Sequence, residues 1–148
     1  VSESINAVES AVDVALLYRA RALSALSRRP VIAELETLTG LDMRQLVRVV
    51  ASAFGLEVAE TADMLAHVPA FDLLPLPKAM QRHCVLLRNS DAEVLGIIAD
   101  PFDSELQTWL ETHARGSLSY RLALQSDIQA YLSKQEETAR ALDDLGVA

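Results

Sequence analysis

Apolar positions recur at helical spacing through the first third of the chain. Val8, Val12, Leu16, Ala20 and Leu23 predict an amphipathic helix over about residues 6–27. Arg28-Arg29-Pro30 ends it, because the residue before a proline avoids the helical region. A short helix follows through Ile32, Leu35 and Leu38, with Gly40 as its left-handed cap. Asp42 opens the next helix, with Gln45 placed to complete a capping box. Its buried stripe is read as Leu46, Val49, Val50, Ala53 and Phe54, and Gly55 closes it.

Residues 57–77 carry a weaker signal. Residues 63–66 read as a helical turn and residues 73–76 as extended chain packed on the core, and Pro77 suits the first turn of a short helix through Ala79 and Met80. The period then changes. Residues 84–88 and 94–99 are apolar, β-branched runs joined by Asn89-Ser90-Asp91-Ala92, which predicts a hairpin. Pro101 stops the second strand, and Asp103 caps a helix with Leu106, Trp109, Leu110 and His113 on its apolar face. Gly116 ends that helix, and Leu118, Tyr120, Leu122 and Leu124 alternate as a half-buried strand. Ser126 with Gln129 reads as a capping box for a last helix through Ile128, Tyr131 and Leu132. Strand 94–99, the helix and strand 117–124 make one right-handed βαβ unit.

The expected fold class is α/β (α+β): an N-terminal helical layer followed by a small ββαβα sheet domain. Residues 1–56 read as a helical subdomain, 57–135 as the α/β unit, and 136–148 as a fraying acidic tail or linker. The chain opens on Val1, so a fragment of a larger machine is expected.

Charge narrows the partners. With 21 acidic against 13 basic side chains, the net charge of −8 repels a phosphate backbone at long range, so no nucleic acid is expected. Arg19, Arg21, Arg28, Arg29, Arg44 and Arg48 cluster in the first third, as a solvated ion-pairing face or a local anion site. Apolar runs of about six residues fall far short of the roughly 20 that span a bilayer, so direct membrane insertion is not expected. Cys84 is the only cysteine and sits among Val85, Leu86 and Leu87 as a small buried hydrophobe. With no secretory leader pattern, these features predict a cytoplasmic protein.

Chemistry is sparse. None of the five glycines is followed by lysine, so no phosphate loop is present, and His67, His83 and His113 are too scattered for a metal site. Asp100 and Asp103, at the C-terminal end of a strand, form the one suggestive carboxylate pair, yet a turn and a helix cap account for both. No catalytic residue, metal ligand or cofactor is assigned, and the chain is read as a non-enzyme.

The series Gly40-Leu41, Phe54-Gly55-Leu56, Leu73-Leu74-Pro75, Ala79 and Ala99-Asp100-Pro101-Phe102-Asp103 resembles the N-terminal domain of type II secretion and type IV pilus assembly ATPases of the GspE/PilB type (MshE-N-like), over about residues 31–135. The resemblance implies a domain ahead of an attached ATPase. It docks on the cytoplasmic part of an inner-membrane platform protein, and so lies peripheral to that membrane through its partner. The Val8/Val12/Leu16 stripe is one candidate docking surface; packing against the rest of the domain is the other reading of it. A branch of that family binds cyclic di-GMP through the motif RLGxxLxxxG. Setting its last glycine on Gly40 puts the opening RLG on Val31-Ile32-Ala33 and Glu36 at its inner leucine, so the motif's arginine and first glycine are missing. Arg28 and Arg29, just upstream, are the candidate substitutes. A further reading puts the same module on a membrane glycosyltransferase or phage-receptor protein.

Overall fold

The computed structural model describes residues 12–146, so Val8 lies outside the described residues. Helix α1 (Val14–Ser27) starts where Asp13 accepts a hydrogen bond from the Leu16 N–H at 2.8 Å, and residues 6–11 of the expected helix lie outside the described residues. It ends at Arg28, which takes the left-handed conformation (φ 62°) and donates its N–H to the Ser24 carbonyl. Pro30 then starts α2 (Val31–Thr39), closed by Gly40 at φ 71°. In α3 (Met43–Phe54), Asp42 accepts from the Gln45 N–H and Gly55 caps the other end. Leu46, Val47, Val49, Val50 and Ala51 are buried, whereas Ala53 and Phe54 are exposed, because α3 meets the sheet through its middle turns.

Residues 57–77 hold two edge strands. β1 (Glu57–Val58) and β2 (Val68–Pro69) flank α4 (Thr61–Leu65), whose first turn is closed by a reciprocal Glu60–Asp63 capping box. Residues 73–76 are not extended. Leu73 and Leu74 donate their N–H groups to the Ala70 carbonyl in a turn that buries Leu74, and α5 (Leu76–Arg82) follows at once with Pro77 in its first turn. The hairpin is β3 (Val85–Arg88) and β4 (Val94–Ile98). Asn89 builds its turn by accepting from the N–H groups of Asp91 and Glu93. Then come α6 (Ser104–Ala114), β5 (Ser119–Leu122) and α7 (Gln125–Asp144). Arg115, not Gly116, is the left-handed cap of α6. Leu124, not Ser126, precedes α7 and makes no side-chain cap. Residues 136–144, expected to fray, continue α7 as helix.

The five strands form one mixed sheet in the order β1-β5-β4-β3-β2. β4 and β5 run parallel with Gly96 opposite Tyr120, and β1 joins β5 in parallel, while β3 and β2 are antiparallel additions. The expected ββαβα unit is therefore present and gains a short strand at each edge. A single cluster of buried side chains runs from Ala20, Leu35 and Leu46 through Leu86, Ile97 and Leu110 to Tyr131, so the helical layer and the sheet share one core. Val12 and Leu16, the described part of the predicted stripe, pack against that core. Leu23 points to solvent.

Candidate binding cleft

The turn between α1 and α2 faces the C-terminal ends of the parallel strands. Between them lies a cleft of about 410 Å³ lined by Arg28, Arg29, Arg82, His83, Asp100 and Asp103 among others. Open α/β sheets place ligands at this edge because strand ends and helix starts converge there. The two features that stood apart in the sequence, the paired arginines and the paired aspartates, thus share one cavity.

Most of these groups already have partners. The Arg29 guanidinium lies 3.4 Å from the Glu34 carboxylate, the one buried charged residue among the described residues, which also accepts from the Ser27 hydroxyl at 2.7 Å. Asp103 accepts from the Leu106 N–H at 3.0 Å, as the cap of α6. Asp100 accepts from the Phe102 N–H at 3.0 Å and faces the start of α2 across the cleft. Pro30 offers α2 no side-chain cap. Burial pushes the Asp100 carboxyl above its ordinary range and the Asp103 charge adds to this, while the Phe102 N–H and Arg21 oppose it.

The sign of that shift gives a prediction. A carboxyl whose folded pKa is raised costs stability when ionised, and the cost vanishes as pH falls through the folded value to the unfolded one. Asp100→Asn is expected to be as stable as the parent or slightly more so at pH 7, since the amide oxygen still accepts one N–H. The difference should shrink as pH falls toward about 4, the unperturbed Asp value. Urea denaturation of both proteins across that range checks it; a variant less stable at pH 7 would refute it.

Arg28, by contrast, has no ion pair among the described residues, and neither does Arg82, whose guanidinium stacks over Trp109 at 4.7 Å from the ring centroid. Arg28 and His83 (φ 53°) both take the left-handed conformation as helix C-caps, as Arg115 does at the end of α6. Sequence reasoning missed Arg82 and His83. The only local sign of them is their position at the end of a short helix, and the fold alone brings them across from Arg28. Of the other clustered arginines, Arg44 pairs with Glu60 and Asp127, and Arg21 lies over Phe102. No group of three or more metal-binding side chains converges among the described residues, and no helix there is long and apolar enough to cross a membrane.

Residues 54–142, which hold the whole sheet, α6 and most of α7, match the model of the MshEN domain. The chain belongs to the MshEN domain family. Among solved structures this MshEN domain superposes on MshE with cdg (cyclic di-GMP) at a TM-score of 0.66, with 22% identity over 88% of this chain and 95% of that one. It superposes on the N-terminal domain of XpsE at 0.59, with 23% identity over 82% and 85%. At such identities the likeness speaks for the fold. A search of the curated proteins finds no match. The family and α/β class read from the sequence hold, and the matched segment is the unit that carries the cleft's strand ends.

Proposed function

We propose that this MshEN domain is a non-catalytic docking and regulatory module of a type II secretion or pilus assembly ATPase, binding the cytoplasmic part of an inner-membrane platform protein. The observation that carries the reading is the family match over residues 54–142. The chemistry of the cleft supports the non-catalytic part: Asp100 and Asp103 hold backbone N–H groups and the end of β4 in place. Arg28 and Arg82 form a basic rim on an otherwise acidic chain, a surface suited to an acidic partner. Binding to the platform's cytoplasmic part, measured by interferometry, should weaken with rising salt and with Arg28→Ala or Arg82→Ala. Association that ignores both salt and these substitutions would remove the rim from the reading. No association at all would remove the docking role.

A second reading rests on the same cleft. Cyclic di-GMP accompanies one structural neighbour, and here Arg28 and Arg82, neither in an ion pair among the described residues, line a cavity at the strand ends. Calorimetric titration with cyclic di-GMP, with GTP as control, decides it. Saturable heat that disappears with Arg28→Ala, at unchanged thermal stability, makes the domain a second-messenger sensor. Silence at high ligand concentration leaves the docking module.

A further inference from the structure

Three arginines of the chain are half-buried: Arg82, Arg88 and Arg121. Two of them have a carboxylate. Arg88 donates to Asp72 through two hydrogen bonds of 2.6 and 2.8 Å, and Arg121 lies 3.4 Å from Glu57. The Arg82 guanidinium makes no hydrogen bond and no ion pair among the described residues. A cation drawn partly out of water loses hydration, and a polar partner normally replaces it. The end of α5 favours a positive charge at Arg82, but that attraction occupies none of its donors.

What Arg82 does have is a ring. Its guanidinium carbon lies 4.7 Å from the centroid of Trp109, on α6. The indole is itself held in place. His113, one turn further on, packs against it at 4.3 Å between centroids, and the His113 Nδ1 lies 2.9 Å from the Trp109 carbonyl. Stacking on a ring uses the face of a guanidinium. The N–H donors lie in its plane and stay free, in the fork that fits a carboxylate or a phosphate.

That fork belongs to the cleft, which Arg82 lines together with Leu106, one turn before Trp109. Charge limits the occupant. Arg28 and Arg82 share the cavity with Asp100 and Asp103, and Arg29 is paired with Glu34, so these charges come close to balance. A multiply charged group meets two carboxylates there, whereas a singly charged one can pair with a single fork.

We propose that Arg82 is the oxyanion-binding residue of the cleft and that Trp109 positions it, the occupant being a singly charged carboxylate or phosphodiester. The inference rests on reading the cleft as a binding site. An acidic side chain of the platform protein and the phosphates of cyclic di-GMP both supply this chemistry.

Two titrations separate those sources: the platform's cytoplasmic part by interferometry and cyclic di-GMP by calorimetry. Each is run on the parent, Arg82→Ala, Trp109→Leu, Trp109→Phe and the double variant Arg82→Ala/Trp109→Leu, with circular dichroism to confirm folding. Arg82→Ala should weaken binding about tenfold or more, as loss of a charge-assisted hydrogen bond does. Trp109→Leu should weaken it about three- to tenfold, and Trp109→Phe, which keeps a ring face, much less. The double variant should bind no worse than Arg82→Ala, because without the guanidinium the indole has nothing to position. Trp109 is the only tryptophan, so the parent's emission, read against Trp109→Phe in the same mixture, should also change as binding saturates. That signal needs no destabilised variant. The arm that responds identifies the source. Binding that ignores Arg82→Ala, strictly additive losses, or an indole emission blind to saturation overturns this proposal alone. A parent that binds neither probe overturns the reading of the cleft as a binding site, and the proposal with it.

Discussion

Gly96→Val is expected to be the most damaging single substitution in the sheet, lowering stability by about 3 kcal/mol, the upper end of the usual range for overpacking. Gly96 lies in the middle of β4, directly opposite Tyr120 on β5. A Cβ placed there would come within 2.9 Å of the Tyr120 Cδ1 and 3.0 Å of its Cε1, closer than side-chain carbons pack. The ring is not free to step aside. Its hydroxyl proton is shared between the Gln107 carbonyl at 3.1 Å and the Glu111 carboxylate at 3.2 Å, tying β5 to α6. Swinging the ring out gives up that link; leaving it in place forces β4 and β5 apart. Thermal denaturation should show a drop of roughly 6–12 °C for a domain of this size. Removing the obstacle should restore part of the loss: Gly96→Val combined with Tyr120→Ala is expected to cost less than the sum of the two alone. Strict additivity would mean that the ring is not what the glycine accommodates. A glycine inside a strand often marks such a close approach, but the sequence does not say to what.

Arg29→Ala should cost about 1–3 kcal/mol, the penalty for a buried polar group stripped of a partner. It leaves the Glu34 carboxylate buried with only the Ser27 hydroxyl, at the joint where α1 turns into α2. Arg28→Ala should change stability by no more than about 0.5 kcal/mol, since that side chain is exposed and carries no ion pair among the described residues. Arg28→Gly should gain slightly, because glycine holds a φ of 62° without strain. Urea denaturation of the three variants separates these effects. Equal losses for Arg28→Ala and Arg29→Ala would show that Glu34 does not depend on Arg29. The contrast bears on function as well. A ligand lost on changing Arg29 could reflect a collapsed joint, so Arg28 and Arg82 are the residues that report contact with an occupant of the cleft.

Much of the architecture was legible because its signals are local. Asp42 and Asp103 satisfy orphan N–H groups at helix starts, Gly40 and Gly55 take the left-handed turn that ends a helix, and Asn89 folds its own hairpin. Those choices depend on a few neighbouring residues, and so does the change of period that marks the βαβ unit. The family resemblance rested on the order of these same features, and it held.

The tertiary structure decided the rest. β1 and β2 have two residues each and no periodicity of their own; they exist because β5 and β3 offer unpaired edges, as where Ala59 bonds the Leu122 carbonyl and Ala70 that of Leu86. Phe54 belongs to the apolar pattern of α3 but meets Phe102 edge-on at the surface, at a centroid distance of 5.3 Å, because the sheet ends before it. Residues 136–144 stay helical although their composition suggested a tail, since the helix is already nucleated by the buried turns at Ile128 and Tyr131. Arg28 and Arg29 are identical in sequence terms, yet one closes on a buried carboxylate and the other faces an open cleft. That difference depends on where Glu34, Arg82 and Asp100 arrive in space. A chain's local pattern fixes which segments turn, cap and pair, but which charges meet is a long-range matter that only the packed fold resolves.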